Sequence, residues 1–121
     1  MLFHAARWAN ADHLYGVSAE CGLKRLMMMF GMTVDATGAP TDKKKDRRHI
    51  DEIWQRYESY RSGPPVGAAY TLPPTAPFAD WKIEQRYAKR DGFDLERIQG
   101  HRDGAEIVRK LMARARRDGL I

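Results

Sequence analysis

Arginine and histidine are the residues of this chain best suited to act on a phosphodiester. Arginine stays charged and clamps a phosphate bidentately. Histidine, with an unperturbed pKa of about 6.5, can take a proton from a ribose hydroxyl or give one to a leaving oxygen. Arg97 and His101 stand one helical turn apart and Arg102 follows directly. Together they form a candidate catalytic set for metal-independent RNA cleavage. Asp103 and Glu106 have the spacing of a capping box, which would put Arg102 at the entry to a helix whose positive end favours an anion. Arg7 and His13 form a second pair near the start of the chain. In so arginine-rich a sequence, one such pair arises by chance roughly once, so either pair also reads as ordinary surface.

Other chemistries lack their residues. There is no glycine-rich turn of dinucleotide or P-loop type, no Gly-x-Ser-x-Gly elbow around Ser18, Ser59 or Ser62, and no alternating βα pattern of a methyltransferase. The histidines His4, His13, His49 and His101 are scattered, and one cysteine, Cys21, supports neither a disulfide nor a thiolate zinc cluster. No metal and no cofactor are expected. Arg86, Tyr87, Lys89 and Arg90 combine an aromatic ring with neighbouring cations, as in proteins that stack a single-stranded base and hold its phosphates. Tyr87 can equally be core, with Arg86 paired to Glu84 or Asp80.

The net charge of +5 suits a polyanion or plain solubility. It concentrates in Lys43-Lys44-Lys45-Asp46-Arg47-Arg48 and in Arg109, Lys110, Arg114, Arg116 and Arg117. Each cluster also reads as a solvated loop or helix face. At 121 residues and 43% hydrophobic content, the expectation is one domain over 1–121. No apolar run approaches the roughly 18 residues of a membrane span, and the first residues lack a leader pattern, so a cytoplasmic location is expected.

The elements that must position these residues read as helices. From Ala9 to Phe30 the stripe Ala11, Tyr15, Ala19, Gly22, Leu26 and Phe30 predicts a long amphipathic helix stopped by Gly31. Gly16, Ala19 and Gly22 give it a small-residue side that a neighbouring backbone can approach closely, at a cost of about 1 kcal/mol of helix propensity per glycine. Met27-Met28-Met29 suits core filling better than a cofactor box. Glu20 and Lys24 form an i, i+4 surface pair or part of a polar network between helices. A loop over 31–46 leads to a second helix, capped by Asp46, with the stripe Ile50, Ile53, Trp54, Tyr57 and Tyr60. Five of the six prolines fall between Pro64 and Phe78, in a long aperiodic loop. Residues 80–88 show no single period. A last helix after Asp103 carries the stripe Ala105, Val108, Leu111, Met112 and Ala115 and ends at Gly119.

The stretch from Ala9 to Lys24 resembles the second helix of HEPN domains, where an Ala-x-x-x-Glu-x-x-Leu-Lys core recurs. Arg86-Tyr87 ahead of a basic final helix is similar to the later part of that fold. The resemblance implies an all-α, antiparallel up-and-down helical bundle, often a homodimer. It also implies a function among RNA cleavage in toxin–antitoxin or defence systems, nucleotide binding and non-catalytic pairing. The sequence departs from the family at two places. The family's Arg-x(4–6)-His spacing is not met by Arg97 and His101, and Arg7 and His13 have it on a different helix. Only Met1 to Arg7 precede the long helix, so the family's first helix is expected to be shortened. That would leave Gly16, Ala19 and Gly22 open to a partner chain, or imply a different start. The leading expectation is a HEPN-like domain engaging RNA or a nucleotide through its basic surface. The alternative is a non-catalytic dimerisation or protein-interaction module.

Overall fold

A computed structural model describes residues 2–73, 77–79 and 95–121 of the chain. Among them are three α-helices, α1 (Leu2–Met29), α2 (Ile50–Arg61) and α3 (Leu95–Arg117), with a 3₁₀ turn at Pro65–Ala69 and no strand longer than the single Val34–Pro40 bridge. The fold is therefore all-α in its described parts. Both α2 and α3 pack on α1 far more than on each other.

α1 starts earlier than the periodicity indicates. Leu2 to Trp8 contain neither glycine nor proline, so nothing interrupts the helix. Residues 2–7, where a separate short helix was expected, belong to α1. Its buried line runs through Asp12, Gly16, Ala19, Leu23, Leu26, Met27 and Phe30, about one residue round the helix from the predicted stripe. The methionine run divides between core and surface, with Met29 partly buried against the core. Met27 is fully buried, while Met28 is exposed. The helix ends as its sequence requires. Gly31 takes φ 117°, Met32 N–H donates to Met27 O at 2.9 Å, and Gly31 N–H donates to Met28 O at 3.1 Å, which satisfies carbonyls the helix would otherwise leave open.

α2 buries Ile50, Ile53, Trp54 and Tyr57 against α1, the stripe read from sequence. Asp46 does not cap it. The N-cap is His49, without a side-chain capping bond, and Asp46 is instead enclosed, accepting from Arg56 Nε at 2.8 Å and Tyr60 Oη at 2.5 Å. Arg56 and Tyr60, one turn apart on α2, hold this carboxylate beneath the 31–49 connection. The bond to Asp46 raises the Arg56 guanidinium above its ordinary range.

The proline-rich connection is ordered where described. Tyr70 and Phe78 are fully buried, and Phe30 meets Tyr57 and Tyr70 edge-on at 6.1 and 5.8 Å. Tyr57 Oη donates to Tyr70 O at 2.7 Å, and Tyr70 Oη donates to Asp118 at 2.6 Å, tying the 3₁₀ turn to the end of α3. Each fully buried large apolar side chain contributes roughly 1.5–3 kcal/mol.

α3 begins at Leu95 and runs through Asp103, so the expected capping box does not form. Glu106 accepts from Arg109 Nε at 2.9 Å on the helix surface. Inside a continuous helix the amides near Asp103 already have carbonyl partners and need no cap. Gly119 closes α3 at φ 73°, with Leu120 N–H donating to Ala115 O at 2.9 Å.

Candidate nucleic-acid interface

The face of α3 away from the core carries the positive charge. Arg102, Arg109 and Arg116 repeat every seven residues, so they lie in one row about 10 Å apart along the axis. All three are exposed, as are Lys110 and Arg117 beside them. Glu106 stands in the row and pairs with Arg109, both well exposed. Arg102, Lys110, Arg116 and Arg117 make no side-chain salt bridge among the described residues. Arg114 is turned to structural use: its Nη1 donates to Ala69 O at 2.9 Å and its guanidinium lies over the Tyr70 ring.

The other basic cluster is divided in the same way. Lys43, Lys44 and Lys45 are exposed, whereas Arg47 holds Pro40 O at 2.7 Å and Asp35 at 3.0 Å, and Arg48 pairs with Glu52. The Glu20–Lys24 pair exists at 3.0 Å, and Glu20 also reaches His49 Nδ1 at 3.0 Å, linking α1 to the start of α2. The i, i+4 pair expected on the helix surface is therefore present, and it extends to His49 without forming a buried network.

Of the three candidate catalytic residues, His101 and Arg102 face opposite ways. Arg102 is on the outer row but in mid-helix, without the anion-favouring helix end that the capping box implied. Arg97 belongs to α3, with its side chain outside the described part. His101 points inward and is 1% exposed. Its Nδ1 lies 2.5 Å from Asp12 Oδ1 of α1, itself buried, and its ring stacks on Phe78 at 5.3 Å with planes 14° apart. Phe78 in turn leans on Trp54 of α2 at 5.8 Å. His101 is thus a junction among α1, α2, α3 and the proline-rich connection. Arg86, Tyr87, Lys89 and Arg90 lie outside the described residues. Asp12 belongs to no local motif. Its signal is a lone carboxylate on the buried line of a helix, which needs a partner to be stable there.

The small-residue side of α1 is used within the chain. Gly16 and Ala19 are buried, and a Cβ on Gly22 would come within 2.6 Å of Val108 Cγ1. The expectation that Gly16, Ala19 and Gly22 form a surface for a second chain is corrected accordingly. At Gly22 the lack of bulk lets α3 settle against α1. Along the outer edge of this seam runs a groove of about 360 Å³ with Val108 and Met112 on its wall and Arg109 and Arg116 on its rim. No acidic residue lines it.

Among the described residues no three or more histidine, cysteine or acidic side chains are grouped to hold a metal ion, and no helix is long and apolar enough to cross a membrane. Compared with known proteins, the chain matches no family model, no curated protein and no solved structure.

Proposed function

We propose that this chain binds RNA through the outer face of α3, gripping the phosphate backbone with Arg102, Arg109 and Arg116 and leaving the strand uncut. The observation that carries the reading is the row itself. Cations repeated on one exposed helix face, without described salt bridges at Arg102 and Arg116, suit a regularly spaced polyanion. The HEPN resemblance, carried by residues 9–24 and by Arg86-Tyr87 ahead of the final helix, accords with it.

Binding is proposed without cleavage because of His101. A general acid or base must come within about 3 Å of the proton it moves. An imidazole that is 1% exposed, engaged by Asp12 and covered on one face by Phe78, is poorly placed to meet a polymer.

The test is fluorescence anisotropy with a short labelled RNA over a range of salt. The affinity should fall steeply, with a logarithmic slope near −0.7 for each single-strand phosphate neutralised. Reversing the row with Arg102→Glu, Arg109→Glu and Arg116→Glu should lower affinity by more than about tenfold, while Lys43→Glu, Lys44→Glu and Lys45→Glu should leave most of it. The RNA should remain full length on a denaturing gel. Binding that ignores salt, or survives reversal of the row, defeats the proposal.

A further inference from the structure

The groove beside the basic row is built differently from the row. It is lined along the α1–α3 seam by Ser18, Cys21, Ala105 and Ala113, whose short side chains leave room on its outer side, while at Gly22 the two helices are in close contact through Val108. Val108 and Met112 give it an apolar wall. Arg109 and Arg116 stand on its rim, seven residues apart on one helix face, and Cys21 is exposed at its α1 side. A volume of about 360 Å³ lies at the small end of the ~300–1,000 Å³ range of ligand clefts.

These features call for a flat, largely apolar group joined on both sides to negative charge. A purely apolar ligand would not use the arginines, and inorganic phosphate would not use the wall. A base of RNA between its two phosphates meets both demands. The bases of a duplex are stacked and paired, whereas a single strand can turn a base outward at much lower cost.

We propose that this groove receives one unstacked base of single-stranded RNA, with Arg109 and Arg116 on the flanking phosphates, so that the chain prefers single strands to duplex. The inference rests on the RNA-binding reading and adds the substrate class. Arg109 can serve because its bond to Glu106 is an exposed surface pair, weakly held in water.

The experiment uses the full chain, with a single-stranded RNA and the duplex of the same sequence as probes. The single strand should bind roughly tenfold tighter, the size of effect expected of one seated base. Ala113→Trp, which places a ring in the groove from its outer edge, should bring single-strand affinity down to the duplex level and leave duplex binding unchanged, with the fold checked by circular dichroism. Independently of any variant, single-stranded RNA should slow alkylation of Cys21 by N-ethylmaleimide, and duplex should not. If Ala113→Trp unfolds the chain, the Cys21 rates decide. Equal, salt-sensitive binding of strand and duplex with no protection of Cys21 overturns the groove assignment and leaves the phosphate row standing. No salt-sensitive binding to either removes both. Protection of Cys21 by an acidic peptide and not by RNA would make the groove a protein-docking site, against the proposal.

Discussion

Asp12 on α1 and His101 on α3 are separated by 89 residues in sequence and by 2.5 Å between Oδ1 and Nδ1, both inside the protein. Removing either partner takes a short polar contact from a group held where water cannot replace it. Asp12→Ala or His101→Ala should therefore lower unfolding free energy by roughly 3–5 kcal/mol. The double variant should cost clearly less than the sum, because both single variants lose the same shared contact. Chemical denaturation of the four proteins measures this; an Asp12→Ala variant as stable as the parent would refute it.

Asp46 is the useful contrast. It is as deeply enclosed as Asp12, but its partner Arg56 keeps about a quarter of its side chain in solvent. Arg56 left alone can rehydrate. Asp46→Ala should cost about 1–3 kcal/mol, less than Asp12→Ala. The same denaturation series ranks the two, and the reverse order would show that burial of the carboxylate alone sets the penalty.

Gly100 and Gly104 sit one turn apart in α3 and should respond oppositely to alanine. A Cβ on Gly104 would come within 2.6 Å of Phe78 Cε2 and 2.7 Å of Pro77 Cγ, whereas one on Gly100 meets nothing within 4 Å. Gly104→Ala should destabilise by about 1–3 kcal/mol through overpacking against Phe78. Gly100→Ala should stabilise by about 0.5–1 kcal/mol through helix propensity. Thermal melts of the two variants read the signs directly.

Three tyrosines make the fold sensitive to alkali. Burial raises the hydroxyls of Tyr57, Tyr60 and Tyr70 above their ordinary value near 10, and the bonds of Tyr60 to Asp46 and of Tyr70 to Asp118 raise these two further. A group whose folded pKa is raised contributes stability that is whole below its unfolded pKa and is lost as pH climbs through the folded one. Stability should hold up to about pH 10 and then fall, with phenolate absorbance at these tyrosines appearing together with unfolding. Early, reversible ionisation of all tyrosines in the folded protein would count against this.

Glu106 restrains Arg109, whose hydrogen bond holds that carboxyl below its usual range. Glu106→Gln should raise RNA affinity by about two- to five-fold at low salt, and the gain should shrink as salt rises. Unchanged affinity at low salt would place Arg109 outside the binding surface.

What the sequence disclosed was set by the range of the interactions involved. The α2 stripe was legible because Ile50, Ile53, Trp54 and Tyr57 sit at helical spacing and all face α1. The stops at Gly31 and Gly119 were legible because positive φ is a local demand that glycine meets. The start of α3 was misread because Asp103 and Glu106 satisfy a local capping pattern inside a helix that was already running. Gly104 looked like part of that pattern, while its actual constraint comes from Phe78. The pairing of His101 with Asp12 spans most of the chain, and no local pattern encodes it. The basic row needed only the seven-residue spacing of Arg102, Arg109 and Arg116 to be seen, but the groove beside it joins two helices and became visible only with them in place.

Because α1 is the common support and α3 follows it at a distance in the chain, the order of synthesis has a consequence for the cell. Some 85 residues separate Phe30 from Ala115, roughly 4–17 s of translation at 5–20 residues per second. Throughout that interval the line through Gly16, Ala19 and Leu23 emerges from the ribosome with no α3 to cover it. The nascent chain thus presents its adhesive seam for seconds before it can close, a window in which chaperones, or another copy on the same message, compete with α3.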